Sequence, residues 1–132
     1  MPGIGGGICQ VSSTRYNGVR LGNMEIVERE NHIRPVTYVP IGQDATIAGD
    51  IIDFKFKNNT NENIYVRSKT NYNELTVEIL GKKPNDFPSV KIIAENMSVI
   101  PSKSVVKQDK KMLVGTKKVE REGENGYRIT TY

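Results

Sequence analysis

The chain has 132 residues, of which 36% are hydrophobic, and a formal net charge of +4 at pH 7. That length suits one domain, or one domain with a small appended module, and the apolar fraction suffices for a modest core. One cysteine excludes an internal disulfide, and a single cysteine beside a single histidine excludes a cysteine-rich zinc site, so neither a metal nor another cofactor is predicted.

The first predicted element is a helix from Cys9 to about Leu21. The pair Gly22-Asn23 is a typical helix end. Gly18 lowers helix propensity, so we expect it to serve close packing against a neighbouring element. The segment 24–29 alternates weakly between apolar and polar residues and fits either a continued helix or a strand.

Prolines at 35 and 40 exclude a helix between 31 and 40, which we expect to be irregular or extended. Beyond it, alternating apolar and polar residues predict strands over 52–57, 64–69 and 75–80. The polar turn 58–63 predicts a hairpin between the first two, and the three together predict an antiparallel meander.

The segment 82–88 contains two prolines and is a candidate domain boundary. After it the pattern predicts long polar strands over 90–94, 111–122 and 127–132, with a hairpin turn at 123–126. The predicted fold class is therefore α+β, with one N-terminal helix packed on an antiparallel sheet and a β-rich tail. The predicted division is 1–83 and 84–132.

The most distinctive motif surrounds the single cysteine, Cys9. Three glycines precede it, and Gly6 and Gly7 would let a ligand approach the backbone closely, while Ser12 and Ser13 follow it. A thiol at a helix N-terminus loses its proton more readily and becomes nucleophilic. The serine hydroxyls, with the N–H groups after the cysteine, are candidates to stabilise an oxyanion. In the alternative interpretation Ser12 or Ser13 caps the helix, and the cysteine is a small buried hydrophobic residue.

A second group of functional side chains lies on the proline-stiffened segment 28–46. His32 is a candidate base for the thiol, and Arg34 is a candidate partner for a substrate carboxylate. Asp44 or Glu30 would orient the imidazole, as the carboxylate does in a catalytic triad. In the alternative interpretation His32 is a structural residue, Arg34 forms only a surface ion pair, and Tyr38 belongs to the core.

The positive charge permits attraction to nucleic acid or to an anionic cell-wall polymer. The densest basic stretch, 107–118, has no interleaved aromatic residues, so it lacks the stacking platform of a single-strand binder. We therefore expect no nucleic-acid partner. No run of about 18 apolar residues is present, so no membrane-spanning helix is predicted.

The stretch from Pro2 to Thr14, followed by Tyr16-Asn17, resembles the signature of VanW-type proteins, which are named for vancomycin-resistance clusters of Gram-positive bacteria. Further matching motifs are Asn31-His32, Arg34-Pro35-Val36, Tyr38-Val39-Pro40, Gly42, Asp44-Ala45-Thr46 and the strand 53–58. The resemblance covers about residues 1–80. The tail from about Val90 resembles, more weakly, the five-glycine-type (G5) adhesion module.

The resemblance implies an extracytoplasmic, cell-wall-associated protein whose partners are peptidoglycan stem peptides. It also implies L,D-transpeptidase activity, in which a cysteine forms 3→3 cross-links between stems. By motif, Cys9 would be the nucleophile and His32 the base. A non-catalytic cell-wall binding or adhesion module is the alternative.

The sequence departs from the family pattern at a few positions. Glu30 stands where many relatives have a second histidine, while Arg15 and Gly18 stand where relatives commonly have Leu and Ala. If the missing histidine is the base, activity would be lost. We also expect this chain to be the C-terminal portion of a longer domain, with any export signal or membrane anchor upstream.

Overall fold

A computed structural model describes residues 5–132 of the chain. The signature positions 2–4 lie outside the described residues. The described chain contains one helix and six strands: α1 (Ile8–Leu21), β1 (Glu25–Glu28), β2 (Lys55–Lys57), β3 (Ile64–Asn71), β4 (Glu74–Gly81), β5 (Ala94–Ile100) and β6 (Gly126–Thr131). The α+β class with a β-rich tail is confirmed.

The helix begins and ends where the sequence predicts. Gly7 is its N-cap residue, and Gly22 caps its C-terminal end with the backbone N–H bonded to the Gly18 carbonyl. Asn23 then adopts a left-handed φ of 52°, a conformation that asparagine tolerates better than most residues. The ambiguous segment after the helix forms a strand, β1.

The six strands pair into three separate two-stranded antiparallel sheets, β1–β2, β3–β4 and β5–β6. The predicted hairpin between the segments around Phe56 and Tyr65 is therefore wrong, as is the three-stranded meander. Phe56 instead faces Ile26 of β1, which brings both side chains onto the core formed with the helix. Burial of apolar area thus decides the partner of β2, because periodicity within one segment carries no information about pairing.

The core is small and lies between α1 and the chain that follows it. Tyr16, Val19, Ala45 and Phe54 are buried, and Met24, Ile26, Phe56 and Ile79 pack against them. The rings of Tyr16 and Phe54 meet edge to face with centroids 5.7 Å apart, a favourable aromatic geometry. Gly18 lies against Val77 and Ile79 of β4, as its predicted packing role requires.

The tail differs from its prediction in pairing. β5 begins at Ala94, where the predicted strand ends, and the predicted strand over 111–122 is absent from the described chain. The partner of β6 is β5, and the two are separated by the exposed segment 101–125. Within residues 5–132 no helix is long and apolar enough to cross a bilayer.

Candidate functional site

Cys9 lies in the first turn of α1, directly after the glycine loop. Gly7 precedes the helix with a φ of 86°, a left-handed value that favours glycine, and no side chain caps this helix end. The first N–H groups of a helix have no intrahelical partner. The prediction that Ser12 or Ser13 caps the helix is therefore wrong, and the backbone N–H groups beside Cys9 lack a side-chain acceptor.

The thiol of Cys9 is half-buried, and its Sγ lies 3.5 Å from the carbonyl oxygen of Ile47. Gly6 and Gly7, both predicted to contact substrate, are exposed and line a cavity of about 380 Å³ beside the start of the helix. A Cβ at either glycine would meet no other atom within 4 Å. The backbone at the helix start is consequently accessible to a ligand.

Ser12 and Ser13, also predicted to contact substrate, are buried and bind the chain's own backbone. Both hydroxyls donate to the carbonyl oxygen of Ala45, and the Ser13 hydroxyl accepts a hydrogen bond from the Ala45 N–H at 2.9 Å. These contacts hold the segment containing Asp44 against the helix. The serines therefore position the loop, and their hydroxyls are not presented to solvent.

Asp44 and His32 form the central contact of this loop. One carboxylate oxygen, Oδ2, accepts the backbone N–H of His32 at 2.6 Å and lies 2.7 Å from the ring Nδ1. Of the two predicted orienting residues, Asp44 and Glu30, it is Asp44 that contacts the imidazole. A neutral His32 then carries its proton on Nδ1, which leaves Nε2 as an acceptor.

The second oxygen of Asp44 is bound by Arg29. The guanidinium lies 3.0 Å from Oδ1 and also donates from Nε to the Asp44 carbonyl oxygen at 2.7 Å. Burial by itself would raise the pKa of Asp44, but the hydrogen bonds from His32 and the charge of Arg29 outweigh it and hold that pKa below its ordinary value. Asp44 is therefore a carboxylate near neutral pH, as an imidazole-orienting residue must be.

Tyr38 contacts the imidazole of His32. Its hydroxyl lies 3.4 Å from His32 Nε2, and the two rings meet edge to face. Burial raises the pKa of Tyr38, a hydrogen bond with Ser13 opposes the rise, and the charges of Cys9 and Asp44 add to it. The interpretation of Tyr38 as a core residue is wrong, because 37% of its surface is exposed.

The predicted nucleophile and base do not contact each other directly. Among the hydrogen bonds of the described residues, none joins Cys9 with His32, and the nearest polar partner of the sulfur is Ile47. The Tyr38 hydroxyl approaches His32, and the charge of Cys9 contributes to raising the pKa of that hydroxyl. The site thus consists of a thiol, a tyrosine hydroxyl and a carboxylate-held imidazole.

Arg34, the predicted carboxylate-binding residue, lines a second cleft of about 470 Å³. The loop 29–44 forms one wall of this cleft, and β6 forms the other. Arg34 is exposed, and its Nη1 lies 3.8 Å from Oε1 of Glu124, a weak surface ion pair. His32 and Asp44 also line the cleft, so it opens onto the imidazole.

Sequence reasoning did not single out Arg29. It contacts both the core and the site, because its guanidinium lies 5.2 Å from the centroid of the Tyr16 ring while it binds Asp44. The signal was present as an arginine between Glu28 and Glu30, but such runs usually form solvated surface. No group of three or more His, Cys, Asp or Glu side chains within residues 5–132 could hold a metal ion.

Comparison with known families identifies the class of protein. Residues 1–80 match the family described as VanW like protein, and residues 93–132 match the G5 domain. The chain therefore belongs to the VanW-like family and carries a G5 domain at its C-terminal end. The two matches indicate a cell-wall-associated protein.

Among curated proteins, the uncharacterized protein YoaR of Bacillus subtilis (strain 168) is 51% identical over 67 residues, which make up 51% of this chain. The matched part is 22% of YoaR, so the chain spans about a fifth of that relative's length. No solved structure matches the chain significantly.

Proposed function

We propose that this chain carries the thiol site of an L,D-transpeptidase that acts on peptidoglycan stem peptides outside the cytoplasm. The observation that supports this function best is the Asp44–His32 contact of 2.7 Å, which leaves Nε2 of the imidazole facing the Tyr38 hydroxyl. Family membership supports the cell-wall context.

The reaction has two steps. The Cys9 sulfur attacks the carbonyl carbon between the third residue of a stem and its terminal D-alanine. The C–N bond breaks, D-alanine leaves as an amine that takes a proton, and a thioester remains on the sulfur. The side-chain amine of a second stem then attacks the thioester and loses a proton. The C–S bond breaks, the 3→3 cross-link forms and the thiol is regenerated.

In this proposal each residue of the site has a defined role. His32 accepts the thiol proton through the Tyr38 hydroxyl and returns it to the leaving amine, while Asp44 stabilises the charged ring. The first N–H groups of α1 lie next to the sulfur and have no intrahelical partner, so they are the oxyanion donors in this proposal.

A second candidate function is a cell-wall binding module without catalysis. Two observations favour it: the bond between Cys9 Sγ and the Ile47 carbonyl oxygen, and the G5 match over residues 93–132. In that case the glycine loop binds wall peptide or sugar, and the thiol has no chemical role. The two functions differ in whether Cys9 forms a covalent bond with the peptide.

The decisive experiment incubates the chain with a synthetic stem tetrapeptide and analyses the intact protein by mass spectrometry. We expect an adduct equal to the stem without its terminal D-alanine, and Cys9→Ser should abolish it. His32→Gln should reduce adduct formation by at least about 100-fold, as loss of a general base does. The control is Ser68→Ala, on the exposed strand β3, which should behave as wild type.

Binding of the peptide without an adduct would overturn the enzyme and favour the binding module. An adduct that persists in His32→Gln at the wild-type rate would overturn the assignment of the base. Folding of each variant is checked by circular dichroism, so a loss of the adduct is assigned to the side chain.

A further inference from the structure

The cleft between the loop 29–44 and β6 is built from both family-matched parts of the chain. Gly42 fixes the two walls: a Cβ there would lie 2.7 Å from the side chains of Ile129 and Thr131, and its carbonyl oxygen accepts the Thr131 hydroxyl at 3.3 Å. The G5 domain is thus packed directly against the loop that carries His32.

The charge of the cleft favours an anion. Arg34 lines it from the loop and Arg128 lines it from β6. Arg34 has only the weak pair with Glu124, and none of the ion pairs among residues 5–132 involves Arg128. Asp44 is the one carboxylate among the lining residues that the structure describes, and Arg29 neutralises it.

Apolar and aromatic side chains make up part of the remaining lining, beside the polar Asn31 and Thr131. Val36 and Ile41 contribute from the loop, and Tyr127 and Ile129 contribute from β6. Arginines in a cleft of mixed polar and apolar lining suit a short peptide with free carboxylates, because guanidinium groups bind carboxylates bidentately while the aliphatic side chains cover the peptide's apolar atoms.

The position of the cleft relative to Cys9 and His32 indicates which of the two stem peptides, acyl donor or acceptor, it would hold. His32 lines it, whereas Cys9 is absent from its described lining. An acyl donor must lie over the sulfur. The attacking amine of the second stem must reach the thioester carbon from a side that the donor leaves free, and must lose its proton to the imidazole as it does so.

We propose that this cleft is the acceptor subsite, which holds a carboxylate-bearing peptide between Arg34 of the loop and Arg128 of the G5 domain, with its amine directed at His32. The assignment rests on the proposed function. In this assignment the G5 domain forms one wall of the reaction site and helps to select the acceptor stem peptide that is cross-linked.

The test measures binding without chemistry. The probe is a synthetic stem tetrapeptide with free carboxylates, titrated into the isotope-labelled Cys9→Ser chain and followed by NMR. We expect shifts in the loop 29–44 and in β6. Arg34→Ala and Arg128→Ala should each weaken binding about tenfold, the effect of one charge-assisted contact. A peptide with amidated carboxylates should bind more weakly by a similar factor.

The matched control is Arg121→Ala, which removes the same charge from the exposed segment outside the cleft. Equal weakening by Arg121→Ala would overturn the proposal in favour of diffuse charge attraction. Wild-type affinity in Arg128→Ala would overturn the role of the G5 wall. Stronger binding of a soluble glycerol-phosphate polymer than of the peptide would overturn the peptide as ligand.

The peptide-binding test of the cleft can fail or succeed independently of the adduct test of the proposed function. A Cys9 adduct without peptide binding in the cleft overturns the acceptor subsite and leaves the enzyme standing. Binding in the cleft without any adduct supports the cleft as a peptide site and overturns the enzyme, together with the acceptor role.

Discussion

Asp44 binds His32 through both the backbone and the ring of that residue. The same oxygen accepts the His32 N–H at 2.6 Å and lies 2.7 Å from Nδ1. Because one contact fixes the main chain and the other fixes the imidazole, the carboxylate determines where Nε2 points. Arg29 on the other oxygen then joins this pair to the ring of Tyr16 in the core.

Replacing Asp44 by Asn should destabilise the chain in a pH-dependent way. The pKa of Asp44 is lowered in the folded state, so its contribution to the free energy of unfolding is complete above the ordinary value of 3.8 and is lost as the pH falls through the folded value. At pH 7 we expect Asp44→Asn to lose about 1–3 kcal/mol, because half-buried donors of His32 and Arg29 lose a charged partner.

Urea unfolding at pH 7 and at pH 3 measures this effect. The difference between wild type and Asp44→Asn should shrink at the lower pH. Asp50→Asn, at an exposed position, is the control and should be neutral at both. A difference of the same size at both pH values would mean that the ionised carboxylate is not the source.

Gly42 should be sensitive to a single added methyl group. Its φ of +83° strains any L-residue, and a Cβ would clash with Ile129 and Thr131 at 2.7 Å. Gly42→Ala should therefore cost about 1–3 kcal/mol and separate the loop from β6. Gly49→Ala is a matched control, because Gly49 also has a positive φ of 53° but no atom within 4 Å of the added Cβ.

Hydrogen exchange distinguishes the two variants. Gly42→Ala should accelerate exchange at Tyr132 and along β6, whereas Gly49→Ala should change only its own turn. If both variants lost the same stability and β6 stayed protected from exchange, the Gly42 contact would not be what holds the loop against the G5 domain.

Gly18 should respond in the opposite direction. A Cβ there would lie 3.8 Å from the side chains of Val77 and Ile79, which is ordinary van der Waals contact. Gly18→Ala should thus raise the free energy of unfolding by about 0.5–1 kcal/mol through helix propensity, without displacing β4. Thermal unfolding checks the sign, and a lower melting temperature would show that α1 and β4 are packed too closely for a methyl group.

The sequence predicts the local elements well and their partners poorly. The helix ends are marked by Gly22-Asn23, and Pro35 and Pro40 keep the loop free of regular structure, because backbone sterics act within a few residues. Pairing of Phe56 with Ile26 depends on a core that assembles across the chain, and no local pattern encodes it.

In the site, too, the sequence predicts what is local and misses what depends on long-range packing. The sequence predicts that Asp44 or Glu30 orients His32 because all three share one stiff loop, and the structure brings Asp44 into contact with the ring. Ser12 and Ser13 were predicted to contact substrate from their place beside Cys9, yet both are buried against Ala45. Burial of a hydroxyl depends on what packs over the helix, and the sequence around it does not reveal this.

Tyr38 gives the sharpest test of how the site works. Its hydroxyl lies 3.4 Å from Nε2 of His32, and the proposed proton transfer from Cys9 passes through it. Tyr38→Phe keeps the ring and removes the hydroxyl. We expect the rate of Cys9 alkylation at pH 7 to fall by up to about tenfold, the worth of one hydrogen bond in this arrangement.

The measurement is the alkylation rate against pH, which is unambiguous because the chain has one cysteine. Tyr65→Phe on the exposed strand β3 is the control and should leave the rate unchanged. If Tyr38→Phe left the alkylation rate unchanged while His32→Gln lowered it, the imidazole would act on the thiol without the tyrosine.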